Sequence, residues 1–228
     1  MIHSHTSKEF EAELGMLRER LCAMGGKCEQ QITLAMQALS DRDDELARKV
    51  IDGDHAIDRD ESEIDELALQ ILATRQPVAS DLRFITMSLK FVTDLERIGD
   101  NAAGIAKRAL ELNHLPPLDN QPDLRSYAQL VQKSLRAALD SFVARDADAA
   151  TILIGADKEI DKRNASLFAE LLAHVATDPA AVTRVLPLTS VCRYLERIGD
   201  HIKNLAEEVV YMVHAQDLRH RPLPKPKN

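Results

Sequence analysis

Six consecutive residues occur twice in this chain, a hundred positions apart: Leu95-Glu96-Arg97-Ile98-Gly99-Asp100 and Leu195-Glu196-Arg197-Ile198-Gly199-Asp200. Around each copy, apolar residues recur every three or four positions, from Phe84 through Leu95 to Ile105 and from Leu188 through Leu195 to Met212. Both copies therefore read as long amphipathic helices. At about 100° per residue, Glu96 and Asp100 stack on one face, roughly opposite the apolar stripe. Two anions spaced i, i+4 repel by a few tenths of a kcal/mol on an isolated helix, so a positive group is expected beside them. Gly99 and Gly199 cost about 1 kcal/mol each relative to alanine in a helix. They lie between the two faces, where a neighbouring helix can come close.

The repeat extends beyond the hexapeptide. Arg42-Asp43 matches Arg145-Asp146, and Asp54-His55-Ala56-Ile57-Asp58 matches Asp157-Lys158-Glu159-Ile160-Asp161, both 103 positions on. Since the hexapeptides are only 100 apart, the second copy lacks three residues near its middle turn. Two homologous three-helix units follow, an all-α architecture of six long helices. The first unit spans residues 1–113, with 114–122 as a proline-rich linker (NHLPPLDNQPD runs over 113–123), 123–215 as the second unit and 216–228 as a disordered tail. Within the units, a first helix carries Leu14, Leu17, Leu21, Met24, Cys28 and Ile32, with a kink or a close packing contact expected at Gly25-Gly26. A second runs from Asp44 to about Thr74. Pro77 ends it, and Ser80 or Asp81 is expected to cap the third. Helices are expected at 124–144, from about 146 to 176, and, after Asp178-Pro179, to about His214.

Composition fits this reading. Aromatic residues make up 4% and there is no Trp, so the core is aliphatic, as in helical bundles. The net charge of −8 argues against nucleic acid as a partner. No run of about 18 apolar residues is present to span a membrane, and no signal peptide opens the chain. A cytoplasmic protein with reduced Cys22, Cys28 and Cys192 is expected.

Each unit presents two acidic pairs: Asp54 and Asp58 with Glu96 and Asp100, and Asp157 and Asp161 with Glu196 and Asp200. In an up-down bundle the second and third helices are antiparallel neighbours, so the pairs can converge along one outward groove. One such pair is commonly a solvated helix face. Its recurrence on both helices of both units favours a cation site, and all-oxygen ligation suits magnesium, calcium, manganese or iron. Glu61 and Asp65 continue the strip, but Asn164 and Phe168 stand at the matching positions, so these two read as a solvated surface. Glu111-x-x-His114 has the spacing of ferritin-like dimetal sites but occurs once, at a helix end. His3 and His5 fall in a polar arm. No phosphate-cradling loop, nucleophile elbow or Cys-His pairing is apparent.

The two longer stretches Asp94-Leu95-Glu96-Arg97-Ile98-Gly99-Asp100 and Tyr194-Leu195-Glu196-Arg197-Ile198-Gly199-Asp200 resemble the signature of the PhoU family of phosphate-signalling regulators. His5-Thr6-Ser7-Lys8-Glu9-Phe10, Met24-Gly25-Gly26 and Arg75-Gln76-Pro77-Val78-Ala79-Ser80-Asp81-Leu82-Arg83 extend the likeness end to end. The resemblance implies two three-helix bundles whose acidic pairs, Asp54, Asp58, Glu96, Asp100, Asp157, Asp161, Glu196 and Asp200, hold iron or zinc clusters. Manganese or magnesium would suit the same ligands. The family's asparagine four residues beyond the signature is met by Asn204, whereas the first unit has Gly104, implying one ligand fewer there. The implied role is non-enzymatic: a negative regulator of the phosphate-starvation response that links the ATPase subunit of a phosphate ABC transporter to a sensor histidine kinase and modulates uptake. Such a protein would be a homodimer that reaches the inner membrane only through its partners. A metal-storage or dimetal redox bundle is the alternative, and its shielded metals contrast with these outward carboxylates.

Overall fold

The computed structural model describes residues 2–218, with side chains from Lys8 onward. Among these residues there is no strand. The described residues form six α-helices: α1 (Ile2–Asp41), α2 (Asp44–Arg75), α3 (Ala79–Asn113), α4 (Leu124–Ala144), α5 (Ala147–Thr177) and α6 (Val182–His214), with one 3-10 turn at Pro179–Ala181 before α6. The first three make one bundle and the last three the other. Helix α1 begins at Ile2 and runs unbroken through Gly25-Gly26, so the polar arm expected at the N-terminus is helical. The side chains of His3 and His5 lie outside the described residues.

The same corner opens α2 and α5. Arg42 and Arg145 adopt left-handed φ of 56° and 52°, and the aspartate after each caps the next helix. Asp43 accepts from Leu46 N at 2.9 Å, and Asp146 from Ala149 N at 2.9 Å. The middle turns differ. Gln76, left-handed at φ 48°, closes α2 and Pro77 prevents its continuation. Helix α3 then starts at Ala79 with Val78 in the cap position and no side-chain cap, so the expected cap at Ser80 or Asp81 is not made. Both residues already lie within the first turn, where the Asp81 carboxylate still suits the positive helix end. The shorter second copy is accounted for in this turn: Gln76, Pro77 and Val78 separate α2 from α3, whereas in the second unit Asp178 alone separates α5 from the 3-10 turn. In that unit Asp178 caps the 3-10 turn instead, accepting from Ala180 N at 3.0 Å.

One hydrophobic core runs through both bundles. Helices α3 and α6 pack on each other, as do α1 and α4. The ring of Phe142 on α4 lies 4.5 Å from Phe91 and 6.2 Å from Phe84, both on α3. A methyl group on Gly25 would come within 2.5 Å of Leu139 on α4, so that glycine serves close packing between the units. The connection between α3 and α4 is held at both ends. The Arg42 guanidinium donates to the carbonyls of Leu112 (3.0 Å), Asn113 (2.8 Å) and Leu115, and Arg184 donates to Pro117 O at 3.3 Å. Leu118 is buried beneath it. At the C-terminus Leu218 is buried too; the rest of the tail expected at 216–228, residues 219–228, lies outside the described residues.

The α3–α6 contact has a near two-fold character. Asp94 Oδ1 accepts from Asn204 Nδ2 at 3.0 Å and lies 2.6 Å from His201 Nδ1. On the other side of the crossing stand the equivalents of Asn204 and Asp94, Gly104 and Tyr194. A methyl on Gly104 would meet the Tyr194 ring at 2.8 Å.

Candidate functional site

The signature glycines set the spacing of the acidic strips. A Cβ on Gly99 would fall 2.8 Å from Ile57 Cδ1 and 3.3 Å from Asp54 Oδ1, and one on Gly199 would fall 2.9 Å from Ile160 Cγ2. Hydrogen in place of a methyl lets α3 close on α2, and α6 on α5, and so brings each helix's carboxylates beside its neighbour's.

In the first strip Asp58 and Asp100 are exposed, whereas Asp54 and Glu96 are partly buried. The Glu96 side chain is 16% exposed. Burial, followed by the charge of Asp100, pushes Glu96 up to about 7. Burial and the charges of Asp100 and Asp58 raise Asp54. The positive group expected beside the pair is Arg97, whose Nη1 lies 3.2 Å from Asp100 Oδ2 and whose Nε lies 3.3 Å from Glu96 Oε2. Glu61 and Asp65, read from sequence as a solvated surface, are instead half-buried and belong to the strip. Burial raises both, and Glu61 also feels Asp65, Asp58 and Asp100. The signal was in the spacing: Asp54, Asp58, Glu61 and Asp65 advance by four, three and four residues along one helix face.

The second strip brings together Asp157, Asp161, Glu196 and Asp200. Burial and the neighbouring carboxylates raise Glu196 and Asp200. Asp157 is not outward-facing as expected: it is 6% exposed and accepts from Lys203 Nζ at 2.9 Å. Asn204, the remaining candidate, turns to Asp94 across the α3–α6 crossing. Sequence reasoning passed over Lys203, His201 and Asp94, because each acts on a residue of a different helix and none belongs to a periodic pattern. The ferritin-like pair is absorbed elsewhere: Glu111 is 2.7 Å from Arg108, and His114 is 3.8 Å from Asp44.

Each strip thus concentrates negative charge with incomplete compensation. Glu96 Oε2, Asp65 Oδ1 and Asp157 Oδ1 are buried oxygens that accept no hydrogen bond; Arg97 Nε stands 3.3 Å from the first and Lys203 holds the other oxygen of the last carboxylate, whereas Asp65 has no ion pair among the described residues, a costly placement in a partly dehydrated groove. An oxygen-rich donor set of this kind fits hard cations. Among the described residues, however, no three Asp, Glu, His or Cys side chains stand close enough to hold one ion as they are placed.

Residues 21–109 and 124–209 each match the PhoU domain, one match per bundle. The chain belongs to the PhoU family. It is 43% identical over 224 residues to the phosphate-specific transport system accessory protein PhoU homolog of Pseudomonas aeruginosa, covering 98% of this chain and 93% of that protein. With PhoU of Escherichia coli K12 it shares 36% identity over 222 residues, 96% of this chain and 91% of the other. Crystal structures agree in fold. PhoU from P. aeruginosa superposes with a TM-score of 0.88 at 43% identity, covering 91% of this chain and all of that one. The phosphate transport system regulatory protein PhoU from Streptococcus pneumoniae gives 0.84 at 30% identity, covering 91% and 98%. In this chain one acidic strip falls within each domain match.

Proposed function

We propose that this chain is a negative regulator of the phosphate-starvation response, holding a sensor histidine kinase in its phosphate-replete state through contact with the ATPase subunit of a phosphate ABC transporter, and modulating uptake. The observation that carries this reading is near full-length similarity to curated phosphate-specific transport system accessory proteins. The protein acts by binding and not by turnover. Its thiols suit no nucleophilic role, since burial pushes Cys28 and Cys192 well above the ordinary range. No helix among the described residues is long and apolar enough to cross a membrane, in keeping with a cytoplasmic protein that meets the membrane through its partners. A homodimer is the assembly proposed.

The acidic strips serve as cation sites in this reading. Asp54, Asp58, Glu96 and Asp100 would hold an ion in the first unit, and Asp157, Asp161, Glu196 and Asp200 in the second, with iron, zinc, manganese or magnesium as candidates. Bound metal would supply counter-charge, while the chain's own groups orient it: Arg97 fixes Asp100, and the signature glycines keep the paired helices close. A strain lacking the gene should express its phosphate-starvation genes in high phosphate, and a complex with kinase or transporter ATPase should weaken as salt rises. Normal repression in the deletion strain together with no detectable complex would overturn the assignment.

A further inference from the structure

The two strips are homologous in sequence but electrically unlike. In the first, Asp54 makes no ion pair among the described residues, and Lys107 acts on it only at longer range. Its counterpart Asp157 is 6% exposed and bonded through Oδ2 to Lys203 Nζ at 2.9 Å. The residue matching Lys203 in the first unit is Ala103, a buried methyl that reaches no carboxylate. The partner helix adds to the contrast, because Glu61 and Asp65 of the first unit are matched by Asn164 and Phe168. Six carboxylates (Asp54, Asp58, Glu61, Asp65, Glu96 and Asp100) thus gather in one strip, where Arg97 pairs with Glu96 at 3.3 Å and Asp100 at 3.2 Å but leaves Asp54 to itself. In the other, four carboxylates have an ammonium in direct contact, with Arg193, Arg197 and His201 exerting a longer-range pull.

We propose that Lys203 is the resident counter-ion of the second strip: its ammonium does there what a metal cation does in the first, so the two strips of this chain differ in cation affinity, the first being the tighter. The inference rests on the cation reading given above. Its physical basis is competition for Asp157, the most buried carboxylate of the strip. Lys203 Nζ donates to Asp157 Oδ2 at 2.9 Å, placing an ammonium directly on that carboxylate. A dication at Asp157 must either lie against that fixed positive charge or expel it, and either event weakens binding. In the first strip no side chain has to be displaced from Asp54.

The test is Mn2+ titration of the chelator-treated full-length protein, read by calorimetry and by the metal-induced rise in melting temperature. It compares wild type, E96Q/D100N, the triple variant E96Q/D100N/K203M, and the charge-conserving E96Q/D100N/K203R. Disabling the first strip should weaken binding at least tenfold. Lys203→Met in that background should restore at least tenfold, with a larger metal-induced thermal shift, whereas Lys203→Arg should restore nothing. The shift also guards against misfolding, because a folded chain with an unpaired Asp157 starts less stable and gains more from metal. If E96Q/D100N keeps wild-type affinity at reduced stoichiometry, or if Lys203→Met and Lys203→Arg behave alike, Lys203 is not the counter-ion although the cation reading stands. If neither wild type nor the Lys203→Met variant binds Mn2+, the cation reading fails and the inference falls with it.

Discussion

Replacing the signature glycine of the second unit gives a sharp test of the packing argument. In Gly199→Ala the new methyl would sit 2.9 Å from Ile160 Cγ2, 3.3 Å from Cδ1 and 3.7 Å from Cβ. Ile160 is 3% exposed, and its Cγ2 is a β-branch that cannot rotate away without moving the whole side chain. Overpacking of this kind costs about 1–3 kcal/mol, offset by about 1 kcal/mol of helix propensity gained over glycine. A net change of between about 0 and 2 kcal/mol of destabilisation follows, which for a chain of this length lowers the melting temperature by up to about 4–8 °C. Gly99→Ala should cost less, because the nearest atom is the terminal Cδ1 of Ile57 at 2.8 Å, which can turn aside, and Cγ2 lies at 3.2 Å. Gly15 and Gly155 are internal controls: both lie within helices and nothing stands within 4 Å of an added methyl. Gly15→Ala and Gly155→Ala should each stabilise the protein by about 0.5–1 kcal/mol. Thermal and urea unfolding followed by far-UV circular dichroism would rank the four. A Gly199→Ala protein stabilised as much as Gly155→Ala, or a Gly155→Ala protein as damaged as Gly199→Ala, would refute the claim that this glycine exists to let α6 approach α5.

Glu96 gives a pH-dependent outcome. Its folded-state value of about 7 lies above the 4.5 of the free side chain, so its contribution is fully present below about 4.5 and is lost as pH rises through 7, by at most about 3 kcal/mol. Glu96→Gln should therefore match wild type near pH 4 and exceed it in stability at pH 8; equal stability at both pH values in chemical denaturation would count against the acidic-strip electrostatics. Phe142→Ala removes the ring that packs on Phe84 and Phe91 across the two bundles, and should cost about 3–5 kcal/mol, measured by urea unfolding. A loss below about 1 kcal/mol would mean that the two bundles do not depend on this contact.

The helices were legible because their stripes are long and regular, and the second unit could be aligned with the first residue by residue. The acidic pairs converged for the reason the glycines suggested. What escaped was whatever depends on two helices meeting at a particular angle. Asn204 carries no mark in the sequence that distinguishes an ion ligand from a hydrogen-bond donor to Asp94. Lys203 looks like an ordinary surface lysine on α6 until Asp157 is found buried on α5. The cap of α3 was misplaced by two or three residues because Ser80 and Asp81 have the right chemistry, and only the backbone reveals that the helix has already begun at Ala79. Asymmetry between the strips was half visible, in the Asn164 and Phe168 that replace Glu61 and Asp65. The other half, Lys203 against Ala103, needed the fold.

The reciprocal contacts at the α3–α6 crossing have the form of an isologous interface, in which position i of one subunit meets j of the other and j meets i. Here both subunits are halves of one chain: 94 meets 204, and 194 meets 104. The molecule has the organisation of a homodimer whose two copies have been joined end to end, with residues 114–123 as the join. Joining replaces a bimolecular encounter by an intramolecular one, so the interface no longer has to be strong enough to find its partner from solution. It also removes the demand that both sides of the two-fold stay alike. One side has kept a polar contact, Asp94 with Asn204 and His201, while the other has become a tyrosine ring seated over a glycine, a pairing that an identical-subunit dimer would have to make twice or not at all.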